Sequence, residues 1–464
     1  MKKNTKSSSI KPAPLSLLNP KCAGIDVGSS ELFVCIAKNS SEQEVRSFPT
    51  FTSDLRHMID WLKANGVKSV SMESTGVYWI VPYEMLEEAG FEVLLVNARF
   101  FKSVPGRKTD VQDCQWIQQL HSYGLLRGSF RPSQEIVQLR AYVRQRSRLF
   151  ESASTQVQLM HKALTQMNIK LNNAISDITG VSGRNIIQAI LQGERDSKKL
   201  ANLSVNGCRK NIDKIAKALE GNFRKEHIFA LEQAYEAFEF FHKQVHRCED
   251  AIEATLSSMQ AEIPSSSSLS SDKNEQEPTL SPPKKRARKT QAARSAYYFD
   301  APKAIKSITI SDLTTIPGID ANTAMKILSE IGTDTSQWAN AKAFASWLGL
   351  CPGNKISGGK VLSSRTKPSD NRVARALRLA AASLYRSKTA IGAFFRRMRA
   401  RLGAPKAITA AAHKLARILY RMLTTGENYQ EAGENYYEQQ YQARVIANLT
   451  RRAEELGYVL IPVK

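Results

Sequence analysis

Cys22-Ala-Gly-Ile-Asp-Val-Gly-Ser-Ser-Glu-Leu-Phe-Val-Cys-Ile-Ala-Lys38 decides the fold at the front of the chain. Two short runs of apolar and β-branched residues flank a Gly-Ser turn, so Cys22 to Val27 and Glu31 to Lys38 read as paired strands. Outward from them, Glu44 to Pro49 is a third strand and Ser53 to Asn65 an amphipathic helix. Lys68 to Glu73 is a fourth strand, Tyr78 to Ala89 a helix, Phe91 to Asn97 a fifth strand, and Val111 to Leu125 another helix. Three strands followed by alternating helix and strand predict an α/β domain over residues 20–131, a mixed sheet flanked by helices.

Beyond it the period changes to seven. Ile136, Leu139, Val143, Phe150, Ala153, Val157, Met160, Leu164 and Met167 fall on alternating three- and four-residue steps, with Arg146 breaking the seam. Ile228, Leu231, Tyr235, Phe238, Val245, Ile252, Leu256 and Met259 make a second run, interrupted by His242 and Glu249. Residues 132–263 are therefore a coiled-coil helical segment. Its two long helices either pair as an antiparallel hairpin within one chain or supply a dimer seam. Residues 264–305, with four consecutive serines, Pro278, Pro282, Pro283 and the basic run Lys284, Lys285, Arg286, Arg288 and Lys289, have the composition of a disordered linker. The run reads as a cationic arm for phosphates, with a nuclear-localisation signal as the alternative. A mainly helical globular unit at 306–426 and a polar helical tail at 427–464 complete the chain.

Sixty-six Lys+Arg against 43 Asp+Glu in 464 residues leave a net charge of +23. Such a surplus points to a polyanion partner, because every phosphate neutralised releases condensed counterions. Nucleic acid is the first candidate; a ribosome-associated or membrane-surface protein would carry the same charge. No stretch approaches the roughly 20 apolar residues that span a bilayer. The first 20 residues carry Lys2, Lys3, Lys6 and Lys11 without the apolar core of a signal peptide, so the expectation is a soluble, cytoplasmic, nucleoid-associated protein. The six cysteines form no CxxC pair and read as reduced thiols. The histidines show no coherent ligand set; His242 and His246, one turn apart, are the pair with zinc-compatible spacing and are also read as structural.

Four carboxylates have a geometric reason to meet. Asp26 lies near the end of the first strand and Glu73 ends the fourth, so both project from one edge of the sheet. Asp110 and Asp113 lie three apart at a helix start and share a face. Four converging acids repel one another unless cations intervene, and Mg2+, a hard octahedral ion, suits carboxylate oxygens and substrate phosphates. Taken singly, each is equally well a surface acid or a helix cap.

In the rear half, Leu313 to Asp320 followed by Thr323 to Gly332 reads as helix, Pro-Gly turn and helix. This is a helix-hairpin-helix whose turn could approach a phosphate because Gly318 carries no Cβ; a plain helical hairpin packing the core is the alternative. From Lys355 to Arg421 there are 17 Lys+Arg and a single acid, Asp370. Lys355, Lys360 and Arg365 lie near a Gly-containing loop, Arg372, Arg375 and Arg378 recur at three-residue steps on a helix, and Arg396 and Arg397 sit on another. All suit backbone phosphates rather than base edges. By residue type alone Ser357 is an ordinary turn serine, with Ser363 and Ser364 as rivals.

Gly24-Ile-Asp26-Val, Met72-Glu73-Ser-Thr-Gly76-Val-Tyr-Trp79, Asn97-Ala-Arg and Lys108-Thr-Asp110-Val-Gln-Asp113 together resemble the DEDD-type insertion-sequence transposases, understood as bridge-RNA-guided DNA recombinases. The likeness extends over nearly the whole chain except the Ser/Pro/Lys linker. It implies a RuvC-like (ribonuclease-H-like) front domain, with Asp26, Glu73, Asp110 and Asp113 as catalytic magnesium ligands. It also implies Ser357 as the nucleophile in a Ser-Gly loop, and hence a composite active site. Further implied are a structured guide RNA that selects donor and target double-stranded DNA by base pairing, and a homotetramer built as a dimer of dimers. A junction-resolving endonuclease using the carboxylates and water alone, and a non-catalytic protein bridging RNA and DNA, are the rival readings.

Overall fold

Five strands in the order β3-β2-β1-β4-β5 make the sheet of the first unit. They are β1 (Cys22–Val27), β2 (Glu31–Ala37), β3 (Gln43–Pro49), β4 (Ser69–Glu73) and β5 (Glu92–Val96). β1 to β3 form an antiparallel meander, while β4 and β5 run parallel to β1, as a crossover through a helix requires. The computed structural model describes residues 16–39, 42–97, 109–205, 211–261, 296–309 and 311–461. The arm residues Lys284, Lys285, Arg286, Arg288 and Lys289, Lys108, and Ala98 and Arg99 lie outside these. The chain divides into two units, residues 1–131 and 132–464.

Strand alternation sorts the first unit's side chains into two layers. Ala23, Ile25 and Val27 of β1 and Val70 and Met72 of β4 face a core shared with α1 (Thr52–Ala64), through Leu55, Met58, Ile59 and Leu62, and with α2 (Ile80–Glu88), through Tyr83 and Leu86. The alternate residues face α3 (Asp110–Ser122), which lies on the opposite side of β1. A Cβ on Gly24 would stand 2.3 Å from the Gln118 backbone nitrogen and 2.5 Å from the Cys114 carbonyl oxygen. Helix backbone therefore rests directly on strand backbone at Gly24, which only glycine permits. The mixed sheet with a mostly helical remainder is the expected fold class.

In the second unit, α4 (Gln134–Gln166) and the Lys225–Ala261 helix pack against each other along their lengths. Arg146 contacts Glu249, and Phe150 the earlier residue His242, so the two run antiparallel within one chain. Of the two arrangements left open by the heptads, the hairpin within the chain is the one found. The two residues that broke the seams pair across it. Arg146 donates to Glu249 at 2.6 Å, both side chains being 3% exposed or less, and its guanidinium lies 3.8 Å from the Tyr297 ring centre and 4.5 Å from that of Phe150. A buried charge persists only when paired, which explains why two "wrong" residues coexist in one apolar seam. Among the described residues, four short helices between the long ones close over the hairpin's end around Ile186, Ile187, Ile190 and Leu200.

Residues 296–305, assigned by composition to the linker, are ordered. Tyr297 is buried and Ala301–Ile308 is a helix capped by Asp300, burying Ala301 and Ile305. The boundary was missed because the aromatic run Tyr297-Tyr-Phe299 sits against a basic, Ser/Pro-rich stretch that dominates any composition window.

Candidate active site

The register of β1 and β4 pairs Ile25 with Met72, so Asp26 and Glu73 follow side by side on neighbouring strands about 5 Å apart. Both occupy the layer that faces α3. Cys22, at the start of β1, meets Gln118, Gly24 meets Cys114 and Gln118, and His121 reaches Ser69 at the start of β4 with a 3.0 Å contact. The helix thus runs opposite to β1, and its first turn, with Asp110 and Asp113, lies toward the strand ends that carry Asp26 and Glu73. Thr109 caps that turn, accepting from the Gln112 amide. Glu73 is buried and accepts a 2.6 Å hydrogen bond from the Thr75 hydroxyl; Asp110 is exposed and Asp113 half-buried.

An all-oxygen donor set suits a hard divalent ion, and Asp26 and Glu73 would hold it first, from adjacent rigid strands. The quartet is not gathered further: among the described residues no three His, Cys, Asp or Glu side chains are grouped closely enough to hold a metal. His242 is wedged between the Phe238 and Phe150 rings, and burial lowers its pKa; His246 faces Glu249. Both have protein contacts of their own, as structural histidines do.

Ser357 lies in a hairpin rather than in the flexible loop expected from its glycines. β6 (Lys355–Ser357) and β7 (Lys360–Ser363) are antiparallel, with Ser357 opposite Lys360 and Ile356 opposite Val361. Gly358 and Gly359 both take positive φ, +53° and +75°, the signature of the two-residue turn whose twist matches a hairpin. Both strands are exposed, including Ile356 at 62% and Val361 at 59%. Gly353 donates to the Arg365 carbonyl at 3.1 Å and ties the hairpin's base.

Asn371 caps the next helix, Arg372–Ser383, through two backbone amides, and the helix buries Val373, Ala374, Leu377, Ala380 and Ala381. Arg372 approaches Glu330 at 3.9 Å, whereas Arg375 and Arg378 make no ion pair with any described residue. Gly318, at φ +83°, has a different surrounding from the one expected of a phosphate turn. Its Cβ direction is filled by the Ala380 carbonyl oxygen at 2.8 Å and by Leu384. The first element of the expected helix-hairpin-helix is a single 3-10 turn, Leu313–Thr315, and the second is Ala321–Ile331, capped by Asp320. Arg396 and Arg397 are engaged by Glu434 and Glu438 of the Gly433–Glu455 helix.

Residues 23–169 match a family model for DEDD transposases of the IS110 type, and residues 311–396 match the transposase IS116/IS110/IS902 family. The first match spans all four acids and the second spans Ser357 and the arginines of the Arg372–Ser383 helix. The chain belongs to the IS110 family of transposases. No curated protein matches it. Sequence reasoning missed three features of this transposase: Gly24, Glu330 and the acidic tail. The glycine is signalled by Gly-Ile-Asp, a small residue two positions before the acid and on the same strand face. Glu330, which forks onto Arg144 and forms an ion pair with Arg140 at 3.4 Å, has no local signal at all. No helix among the described residues is long and apolar enough to cross a membrane.

Proposed function

We propose that this transposase exchanges DNA strands through a covalent phosphoserine. The Ser357 hydroxyl gives up its proton and its oxygen bonds the scissile phosphorus. The displaced deoxyribose oxygen departs as a hydroxyl, and attack by a second strand's hydroxyl reverses the exchange and regenerates serine. Each step conserves the phosphodiester, so no high-energy cofactor is consumed. Asp26 and Glu73, joined by Asp110 and Asp113 from the start of α3, would hold magnesium, which would supply polarisation of the scissile phosphate. Arg375 and Arg378, with Lys355, Lys360, Arg365 and Arg372, hold phosphates of the same strands. A structured RNA pairs with donor and target DNA and selects the site, and four copies assemble as a dimer of dimers.

The observation that carries the reading is the position of Ser357: exposed, beside a rigid Gly-Gly turn, paired with Lys360, and within a span holding one acid among 17 cations. The test is denaturing electrophoresis of labelled DNA incubated with the protein, its copurifying RNA and Mg2+. Wild type should trap a protein–DNA adduct that Ser357→Ala abolishes. Cleavage by Ser357→Ala, with no adduct from either protein, would transfer the chemistry to the carboxylates and water, as in a junction-resolving nuclease. Full strand breakage by Asp26→Ala would make the front domain a non-catalytic scaffold.

A further inference from the structure

The Gly433–Glu455 helix is 23 residues long and buries none of its own side chains, yet it lies against the Ala390–Leu402 helix. What holds it there is one face, Glu434, Tyr437, Glu438 and Tyr441, at the i, i+3, i+4, i+7 spacing of a single stripe. Glu434 pairs with Arg396 and Glu438 with Arg397. The Arg397 guanidinium stacks 3.3 Å from the Tyr441 ring centre. Tyr437 meets Phe394 edge to face at 6.2 Å, with the Lys414 ammonium 4.8 Å from the Phe394 ring centre and 5.3 Å from that of Tyr437. Carboxylates on arginines and a ring face on a guanidinium reproduce two contacts that single-stranded nucleic acid makes, phosphate to guanidinium and base to guanidinium plane.

We infer that the tail is an intramolecular mimic of single-stranded nucleic acid, covering a second binding surface of Phe394, Arg396, Arg397 and Lys414 that a single strand takes over when the tail lifts. The inference rests on the reading of this chain as a nucleic-acid-handling transposase. The fit of the mimic is incomplete. Arg397 Nε is buried without a hydrogen-bond partner among the described residues, because Glu438 takes another edge of the guanidinium. A phosphate, with more acceptor oxygens than one carboxylate, can satisfy the remaining donor. Burial lowers the pKa of Lys414, as expected for a cation held away from water beneath the tail. Unstacked bases are required because the ring that replaces Tyr441 must turn its face to the Arg397 guanidinium, which a base paired inside a duplex does not do.

The experiment compares full-length protein, a chain ending at Ala432, and the double variant Glu434→Gln/Glu438→Gln. Each is titrated with an unstructured 12-nucleotide RNA, and with DNA of the same sequence, across a salt series. Two newly available arginines should steepen log K against log salt by about 1.4, roughly 25-fold in affinity between 1 M and 0.1 M salt. The melting temperature should barely move, since the helix contributes nothing to the core. A gain for RNA alone, for DNA alone or for both supports the surface and identifies its strand. Binding by all three proteins with equal slopes overturns the mimic while leaving the transposase reading intact. Binding by none also overturns the surface, while the transposase reading, which concerns duplex DNA and a structured RNA, is tested separately by the Ser357 adduct.

Discussion

Gly24→Ala is the sharpest test of how the acids are brought together. The added methyl would stand 2.3 Å from the Gln118 nitrogen and 2.5 Å from the Cys114 carbonyl oxygen. Both are backbone atoms inside a helix, so no side chain can swing aside. Restoring an ordinary contact moves α3 off β1 by about 1 Å, and Asp110 and Asp113 move with it. Overpacking of this kind costs about 1–3 kcal/mol. For a unit of this size, 2 kcal/mol lowers the melting temperature by roughly 7–9 °C. Catalysis should suffer more than folding, because a 1 Å misplacement of catalytic groups can cost about 100-fold.

Two measurements separate the effects: the melting temperature of the first unit by calorimetry, and strand cleavage at a temperature where the variant remains folded. Gly183→Ala is the companion variant. Its Cβ would meet the Ile178 carbonyl oxygen at 2.2 Å, far in sequence from Asp26, Glu73, Asp110 and Asp113 and within the second unit. It should lose comparable stability while cleaving normally when folded. A Gly24→Ala protein that melts and cleaves like wild type would show that α3 does not rest on β1 at this point, and the placement of Asp110 and Asp113 toward the strand ends of Asp26 and Glu73 would lose its support.

Glu249→Ala should cost about 3–5 kcal/mol by stranding the buried Arg146 charge, whereas replacing both partners by Met and Leu should be near neutral; chemical denaturation distinguishes the two. Gly358→Val/Gly359→Val forces side chains into positive φ at the hairpin turn, at about 1–2 kcal/mol per residue. It should abolish the serine adduct while leaving the melting temperature unchanged, since the hairpin is exposed. Burial lowers the pKa of His121, His242 and His413 below the ordinary value of 6.5. The unfolded chain then binds protons that the native state refuses, so stability is fully present above pH 6.5 and falls as pH drops from there toward the depressed values. Melting curves at pH 8, 6.5 and 5 should show the loss, and His121→Gln should flatten it for the first unit.

The sheet was readable because its strands are short, apolar and separated by turn residues. Predicted bounds such as Cys22 to Val27 and Lys68 to Glu73 lie within one residue of β1 and β4. That Asp26 and Glu73 share one edge of the sheet was readable too; their adjacency on neighbouring strands needs the strand order, which no local pattern encodes. The hairpin at Ser357 was not. Glycine pairs serve flexible loops and tight turns equally, and Lys355-Ile-Ser and Lys360-Val-Leu-Ser are too short for a period to register. Arg146 and Glu249 were both visible as flaws in their heptads, but nothing local says that two flaws 103 residues apart cancel.

Charge was where the sequence misled most, for a reason that can be traced residue by residue. The window from Lys355 to Arg421 holds 17 cations and one acid, but a window on a sequence is not a surface. Glu330 enters from upstream to approach Arg372, and from downstream Glu427, Glu434 and Glu438 meet Arg421, Arg396 and Arg397. Four of the 17 are thus in or near an ion pair, and Lys414 lies under an aromatic ring. Exposed charges such as Arg421–Glu427 are worth little and yield readily to a phosphate. Arg397 is also stacked on Tyr441 of the same helix that carries both Glu434 and Glu438, so the pairs at Arg396 and Arg397 yield only when the tail goes as a unit. Arg375 and Arg378 need no such release. Substituting them should therefore shallow the salt dependence of DNA binding in the intact protein by about 0.9 per arginine. Substituting Arg396 and Arg397 should change it only after the tail has been removed.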